Sequence, residues 1–194
     1  SYRRNYRSDT DESKAKTGFW QFLFPRSIYR HPSALVDYGI YVVNVLLSPF
    51  ILLVTIGWQT TISIAVADWL VAVNDGAPLS RGAWSGWTYA WFVLGFTLAS
   101  DLSVYVVHRA HHAWGVIWPI HALHHSAEVL TPVTLFRKHP LWNLTSDAVA
   151  KTFTGVFQGL FVFAFFGRIE FETLFGLNTV YVLYNFFGSN LRHS

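Results

Sequence analysis

The chain has 194 residues, of which 52% are hydrophobic, 18% aromatic and only 13% charged. Soluble domains carry about 25% charged residues, and disordered chains combine low hydrophobicity with high charge, so both classes are excluded. Ten of the 25 charged side chains lie within the first thirty positions, and residues 38–57 contain none. The net charge of +3 lies mainly in this N-terminal tail, which favours a membrane surface over a nucleic acid as its partner.

The chain contains neither cysteine nor methionine. The absence of cysteine excludes disulfides, thiolate metal sites and cysteine nucleophiles. Because there is no initiator methionine, we expect the numbering to begin inside a longer or processed protein.

Four stretches approach the roughly 20 apolar residues that a membrane-spanning helix needs. They are Tyr38–Gly57, Gly82–Val107, Thr152–Gly167 (extended backwards by Ala148–Ala150) and Thr173–Leu191. A weaker stretch, Ile62–Val73, is interrupted by Asp68 and is too short to span comfortably. We interpret it as a re-entrant or interfacial helix.

The Lys and Arg residues favour one orientation of these spans. With the N-terminal tail in the cytoplasm, twelve of them, including Lys151, fall on the inner side, and Arg81 and Arg168 fall outside. This bias is what the positive-inside rule expects. The predicted fold is therefore an all-α integral membrane bundle with four transmembrane helices, a re-entrant or interfacial helix and a cytoplasmic helical cap. Residues 1–33 are the basic tail and interfacial segment, and residues 34–194 form the membrane domain.

Seven of the nine histidines lie within residues 108–139. Six of them form two groups, which are His108-Arg-Ala-His111-His112 and His121-Ala-Leu-His124-His125. Helical residues four apart share a face, so each group places its first and last histidine together. Gly115 and Pro119 lie between the groups and predict two short helices that meet at a turn.

Neutral imidazoles are suitable ligands for zinc, copper, iron and nickel. Structural partners are the usual explanation for a lone histidine, but two groups within eighteen residues favour a metal site. More histidines are present than one four-coordinate zinc requires, which leaves two metals, or one metal with supporting histidines. The predicted ligands are His108, His112, His121, His124 and His125, and the further candidates are His111, His139 and His193.

Other polar residues accompany the histidines. Asp101 and Tyr105 precede His108 on one helical face, and an acid near the end of a span indicates a functional site. Asp101 is expected to orient a ligating histidine through its second ring nitrogen, with exposure to headgroup water as the alternative. Arg137 and Lys138 lie beside His139 and are candidates for contact with lipid phosphates.

In these histidine groups the chain resembles the fatty acid hydroxylase and sterol desaturase family of integral membrane enzymes. The resemblance rests on H-x-x-x-H at His108–His112 and H-x-x-H-H at His121–His125. It is supported by Asp101-Leu-Ser-Val-Tyr105-Val-Val-His108, by His125-Ser-Ala-Glu128 and by Arg137-Lys-His139-Pro140. It covers roughly residues 30–194, and its flanking residues favour the bacterial inner membrane over the endoplasmic reticulum.

The resemblance implies a centre of two non-haem irons at the cytoplasmic face. It implies activation of O2 and attack on an unactivated C–H bond of a membrane lipid, which gives a hydroxyl group or a double bond. Electrons are expected from a separate electron-transfer protein, because the chain has no Gly-rich dinucleotide fingerprint. Other membrane subunits are further candidate partners, and nucleic acid is not expected.

The family pattern includes a third histidine box near its C-terminus. This chain ends at Asn190-Leu-Arg-His193-Ser194, where such a box would begin. We expect the remaining ligands in a longer protein; loss of catalysis is the alternative. In that case the chain would be a non-catalytic membrane subunit that packs against lipid, pigment or protein. A zinc hydrolase ranks last, because its H-E-x-x-H motif would need Glu where Arg109 stands.

Overall fold

The computed structural model describes residues 18–55, 57–80, 82 and 85–166. Within these ranges all regular structure is helical, as the sequence predicts, and no strand is present. The helices are α1 (Phe19–Leu23), α2 (Arg26–Tyr29), α3 (Pro32–Thr55), α4 (Trp58–Val73), α5 (Gly86–Ala113), α6 (Trp118–Ala122) and α7 (Pro140–Phe165). Two 3₁₀ turns, His124–Ser126 and Pro132–Phe136, lie between α6 and α7.

Three helical segments of this described part are long and apolar enough to cross a membrane. They are Pro32–Val73, Gly86–Ala113 and Pro140–Phe165. The first combines α3 and α4 and passes through residue 56, which is not among the described residues. The fourth predicted span, Thr173–Leu191, also lies outside them and stays a prediction.

The helix α7 begins at Pro140, well before the predicted span Thr152–Gly167. Proline is well suited to the first turn of a helix because its φ is already helical and its missing N–H is not needed there. The polar residues Asp147 and Lys151 lower the mean hydropathy of the first half of the helix, so the sequence did not indicate a span there. Lys151 lies near the middle of α7 and not in a loop, and it pairs with Asp147 at 2.7 Å.

The helices α3 and α4 follow α7 in the same direction. Asn44 accepts a hydrogen bond from Asn143 at 3.0 Å near the start of α7. Farther along, Lys151 donates to Thr55 at 2.6 Å. Trp58, at the start of α4, then donates to Thr152 at 3.1 Å. The segment predicted to be re-entrant or interfacial is therefore a helix that continues the direction of α3 along α7.

Between the two helices, Gly57 adopts a left-handed conformation with φ of 80°. Glycine tolerates this conformation because it has no Cβ. Gly57 therefore interrupts the helix between α3 and α4, and both helices still run along α7.

Two glycines let α4 approach α7 closely. A Cβ placed at Gly155 would lie 2.7 Å from the carbonyl oxygen of Gln59, and one at Gly159 would lie 2.6 Å from that of Ser63. The spacing of four residues puts both glycines on one face of α7. Small residues at this spacing are typical of closely packed helices in membranes.

The helix α5 runs antiparallel to α7 and packs on another part of its surface. Phe92 and Phe96 near the start of α5 contact Phe157 and Phe161 near the end of α7, with ring centroids 5.3 to 6.3 Å apart. Because the two helices are antiparallel, the C-terminal end of α5 lies at the N-terminal end of α7. This arrangement places the histidines of α5 beside Trp142.

Candidate metal centre

Three successive elements carry the five predicted ligands. His108 and His112 lie in the last two turns of α5, and His121 lies on α6. His124 and His125 form the following 3₁₀ turn. The sequence predicts the break between the groups, but the first group lies at the end of a long helix. Pro119 belongs to the first turn of α6 rather than to the break.

Four histidines bring their ring nitrogens together at one point. Those of His108, His112, His121 and His125 all lie within 4.8 Å of one another. The Nε2 atom of His121 is 3.1 Å from Nε2 of His112 and 2.9 Å from Nε2 of His125. The ring of His108 lies 4.6 Å from that of His121, between centroids. His121 is buried, whereas the other three are exposed.

These distances fit a shared metal ion. Two imidazole nitrogens bound at about 2.0–2.1 Å to one ion lie about 3 Å apart when they occupy neighbouring positions. A further sign comes from buried ring nitrogens that have no hydrogen-bond partner among the described residues. They are His111 Nε2, His121 Nδ1 and His124 Nδ1. Such groups are rare in native structures unless a water or an ion satisfies them. The residues present therefore fit a transition metal.

The protonation state of His121 and His124 suits this chemistry. Burial, and then the positive charge that His108, His125 and His112 would carry, lower the pKa of His121 to about 4. Burial, followed by repulsion from Lys138 and His125, also lowers the pKa of His124. Both rings are therefore neutral at pH 7, which is the form that binds a metal.

His124 lies just outside the group of four. Its ring centroid is 5.7 Å from that of His121 and 5.4 Å from that of His125. His111, a further candidate ligand, is buried on α5, and its Nδ1 is 2.9 Å from the carbonyl oxygen of Val107. The carbonyl can only accept, so Nδ1 of His111 carries the proton and Nε2 has a free lone pair.

Two tryptophans border the cluster, and the sequence analysis did not identify either. The ring of Trp142 stacks on His121, with centroids 4.3 Å apart, and lies 4.5 Å from His111. Trp118 stacks on His125 at 5.8 Å. The signal was present, because Trp118 lies three residues before His121 and Trp142 three after His139. These rings hold the imidazoles by packing.

The remaining predicted site residues are not among the four convergent histidines. His139 caps α7, since its Nδ1 accepts from the backbone N–H of Leu141 at 3.2 Å, which leaves only Nε2 for a metal. Tyr105 is exposed and accepts a hydrogen bond from Arg109 at 3.4 Å. Asp101 is exposed on α5, about 10 Å of helical rise before His108. His193 lies outside the described residues, and these four roles stay predictions.

Arg137 does not face lipid phosphates as one interpretation proposed. Its side chain is buried and forms an ion pair with Asp37 at 2.7 Å, at the start of α3. The sequence analysis missed Asp37, although a charge next to an apolar stretch was the same signal that marked Asp101. Lys138 is half-buried, and burial lowers its pKa.

Comparison with known families agrees with this geometry. The model of the family described as fatty acid hydroxylase matches residues 92–193, which is more than half of the chain. The match begins on α5 and includes both histidine groups, and it confirms the resemblance seen in the sequence. No curated protein and no solved structure matches the chain. The family match indicates an oxidoreductase that acts on lipids. The chain therefore belongs to the fatty acid hydroxylase family.

Proposed function

We propose that this protein is a membrane-bound non-haem di-iron oxygenase that hydroxylates or desaturates a lipid C–H bond with O2. The observation that carries the proposal is the convergence of four imidazole nitrogens at one end of three apolar helices. The family match supports the reaction class. Iron would supply the O2 chemistry, which no protein side chain performs unaided.

The residues have distinct roles in this proposal. His108, His112, His121 and His125 hold the metal as neutral imidazoles. Two further histidines, His111 and His124, each have a buried ring nitrogen that bonds to none of the described residues, and they would supply ligands for a second ion. Trp142 and Trp118 restrict the movement of the rings. The long helices expose many apolar side chains, and these are suited to hydrocarbon.

The substrate, the electron donor and the orientation belong to the same proposal. A lipid substrate would reach the cluster from the hydrocarbon layer along the apolar faces of α3 and α5, where Leu53 and Leu98 are 69% and 60% exposed. Electrons would come from a separate protein, because the sequence has no dinucleotide fingerprint. The excess of Lys and Arg on the histidine side favours the cytoplasm for that end, and we propose the bacterial inner membrane.

The metal content of the full-length protein tests the proposal. We expect about two irons per chain, measured by elemental analysis after purification in mild detergent. His108→Ala and His124→Ala should each abolish oxidation of a lipid substrate, detected by mass spectrometry as an added oxygen atom or the loss of two hydrogens. His31→Ala is the matched control, because His31 lies at the same end of the molecule but contacts Glu128 at 3.9 Å instead of the cluster.

Two outcomes would contradict the proposal. An intact protein without bound metal would support the non-catalytic membrane subunit instead. Retained lipid oxidation in both histidine variants would show that the cluster does not perform the reaction.

A further inference from the structure

A buried arginine lies next to the second histidine group, outside the set of proposed ligands. Arg137 follows the second 3₁₀ turn, and only 5% of its surface is exposed. All three of its guanidinium nitrogens donate hydrogen bonds. A buried charge is costly unless it is paired and hydrogen-bonded. The hydrogen bonds of Arg137 therefore fix its guanidinium group in one position.

One side of the guanidinium bonds to both ends of the 3₁₀ turn His124–Ser126, the histidine turn. Nε donates to the carbonyl oxygen of Leu123 at 3.0 Å. Nη2 donates to the hydroxyl of Ser126 at 2.9 Å and to its carbonyl oxygen at 3.3 Å. His124 and His125 are the two residues between these attachment points. Arg137 therefore fixes the short segment that presents both imidazoles.

The other side of the guanidinium is anchored to α3. Nη1 donates to Asp37 Oδ1 at 2.7 Å and to the carbonyl and hydroxyl oxygens of Ser33, both at 3.1 Å. The second oxygen of Asp37 accepts from the hydroxyl of Thr134. The hydroxyl of Ser33 also accepts from the backbone N–H of Glu128 at 3.1 Å, just beyond the histidine turn. Asp37 is completely buried.

We propose that Arg137, anchored by Asp37, is a positioning residue that holds the His124–Ser126 turn in the geometry required for metal binding. The role rests on the proposed function, because it concerns the same cluster. It connects the first long helix to a loop that is more than eighty residues away in the sequence. Short contacts between His125 and His121 depend on this turn, since His121 is on α6 and His125 is not.

The guanidinium is suited to this task in a way that an ammonium group is not. Its planar fork donates in several fixed directions at once, whereas lysine offers a compact charge on a flexible stem. Arg137→Lys therefore keeps the charge beside Asp37 but cannot donate hydrogen bonds to Leu123 and Ser126 at the same time. This variant separates positioning from simple charge compensation.

The experiment uses the full-length protein in mild detergent with Fe(II) added under anaerobic conditions. We expect Arg137→Lys to weaken Fe(II) binding at least tenfold, since changes around metal ligands typically cost 10–100-fold. Asp37→Asn, which loosens the anchor but retains an acceptor, should weaken binding in the same direction. In the metal-free protein, both variants should accelerate hydrogen exchange at the amides of residues 124–128.

A matched control removes a different ion pair. Lys151→Gln breaks the Asp147–Lys151 pair on α7, about 13 Å of helical rise beyond Trp142. It should lower thermal stability but leave the Fe(II) affinity and the exchange of residues 124–128 unchanged. A purely structural Arg137 would behave like this control, with a lower melting temperature and wild-type affinity.

The outcomes separate the two claims. Wild-type Fe(II) affinity and wild-type loop exchange in Arg137→Lys would overturn the positioning role while the proposed function stands. If the wild-type protein binds no Fe(II), the proposed function fails, and the exchange measurement alone decides whether Arg137 holds the turn. Accelerated exchange confined to residues 124–128 would then show that Arg137 holds the turn.

Discussion

Replacement of Gly159 by alanine tests the close packing of α4 on α7. The added Cβ would lie 2.6 Å from the carbonyl oxygen of Ser63 and 2.7 Å from Cβ of Val66. An ordinary contact of this kind is at least 3.4 Å, so the helices must separate by about 0.8 Å. One neighbour is backbone and the other is a stiff β-branched side chain, so neither can move away alone.

The magnitude follows from two opposing effects. Overpacking in a well-packed interior costs about 1–3 kcal/mol. Alanine also favours the helix over glycine by about 0.5–1 kcal/mol. We therefore expect Gly159→Ala to lower the free energy of unfolding by about 0–2.5 kcal/mol. Because the strain can be relieved by one shift of α4, adding Gly155→Ala should cost less than the sum of both changes.

The matched control is Gly39→Ala on α3. A Cβ at Gly39 would meet nothing within 4 Å, so only the helix preference applies. Its free energy of unfolding should rise by about 0.5–1 kcal/mol, opposite in sign to the change at Gly159. Both variants are measured by circular dichroism during SDS titration in mixed micelles. The packing argument would be refuted if Gly159→Ala were as stable as Gly39→Ala.

Two further substitutions test the surroundings of the cluster. Trp142→Ala should reduce the iron bound per chain, because His121 loses the ring stacked on it, and it should destabilise the protein by about 3–5 kcal/mol. Trp142→Phe should retain most of the iron. Equal iron content in the two variants would show that the Trp142 ring does not hold His121 for metal binding. Asn44→Ala should lower the free energy of unfolding by about 1–3 kcal/mol, since the carbonyl of Lys138 and the amide of Asn143 lose their partner. The double variant Asn44→Ala with Asn143→Ala should be little less stable than Asn44→Ala alone in the same unfolding assay.

The sequence predicted the class of fold and the location of the cluster because both depend on local patterns. Apolar stretches of about 20 residues favour helices in a membrane, because a helix pairs every backbone polar group within its own segment. Histidines four residues apart share a face on any helix. The membrane helices and the pairing of His108 with His112 therefore required no knowledge of distant contacts.

Hydropathy failed where polar residues are matched across helices. The first half of α7 carries Asn143, Asp147 and Lys151, and each finds a partner on α3 or one turn away. An average over sequence neighbours counts these side chains as unfavourable, because it does not include their partners. The predicted span therefore began at residues 148–152, whereas the helix begins at Pro140.

What the sequence alone determined is the presence of apolar helices with two histidine groups at one end. The tertiary structure decided that the two histidine groups meet, because His121 reaches His112 only after α6 folds back on α5. It also gave Arg137 its role, since the acid that pairs with this guanidinium lies a hundred residues earlier in the chain. Contacts of this kind are set by how the helices pack, and no local pattern in the sequence encodes which distant side chain will be the partner.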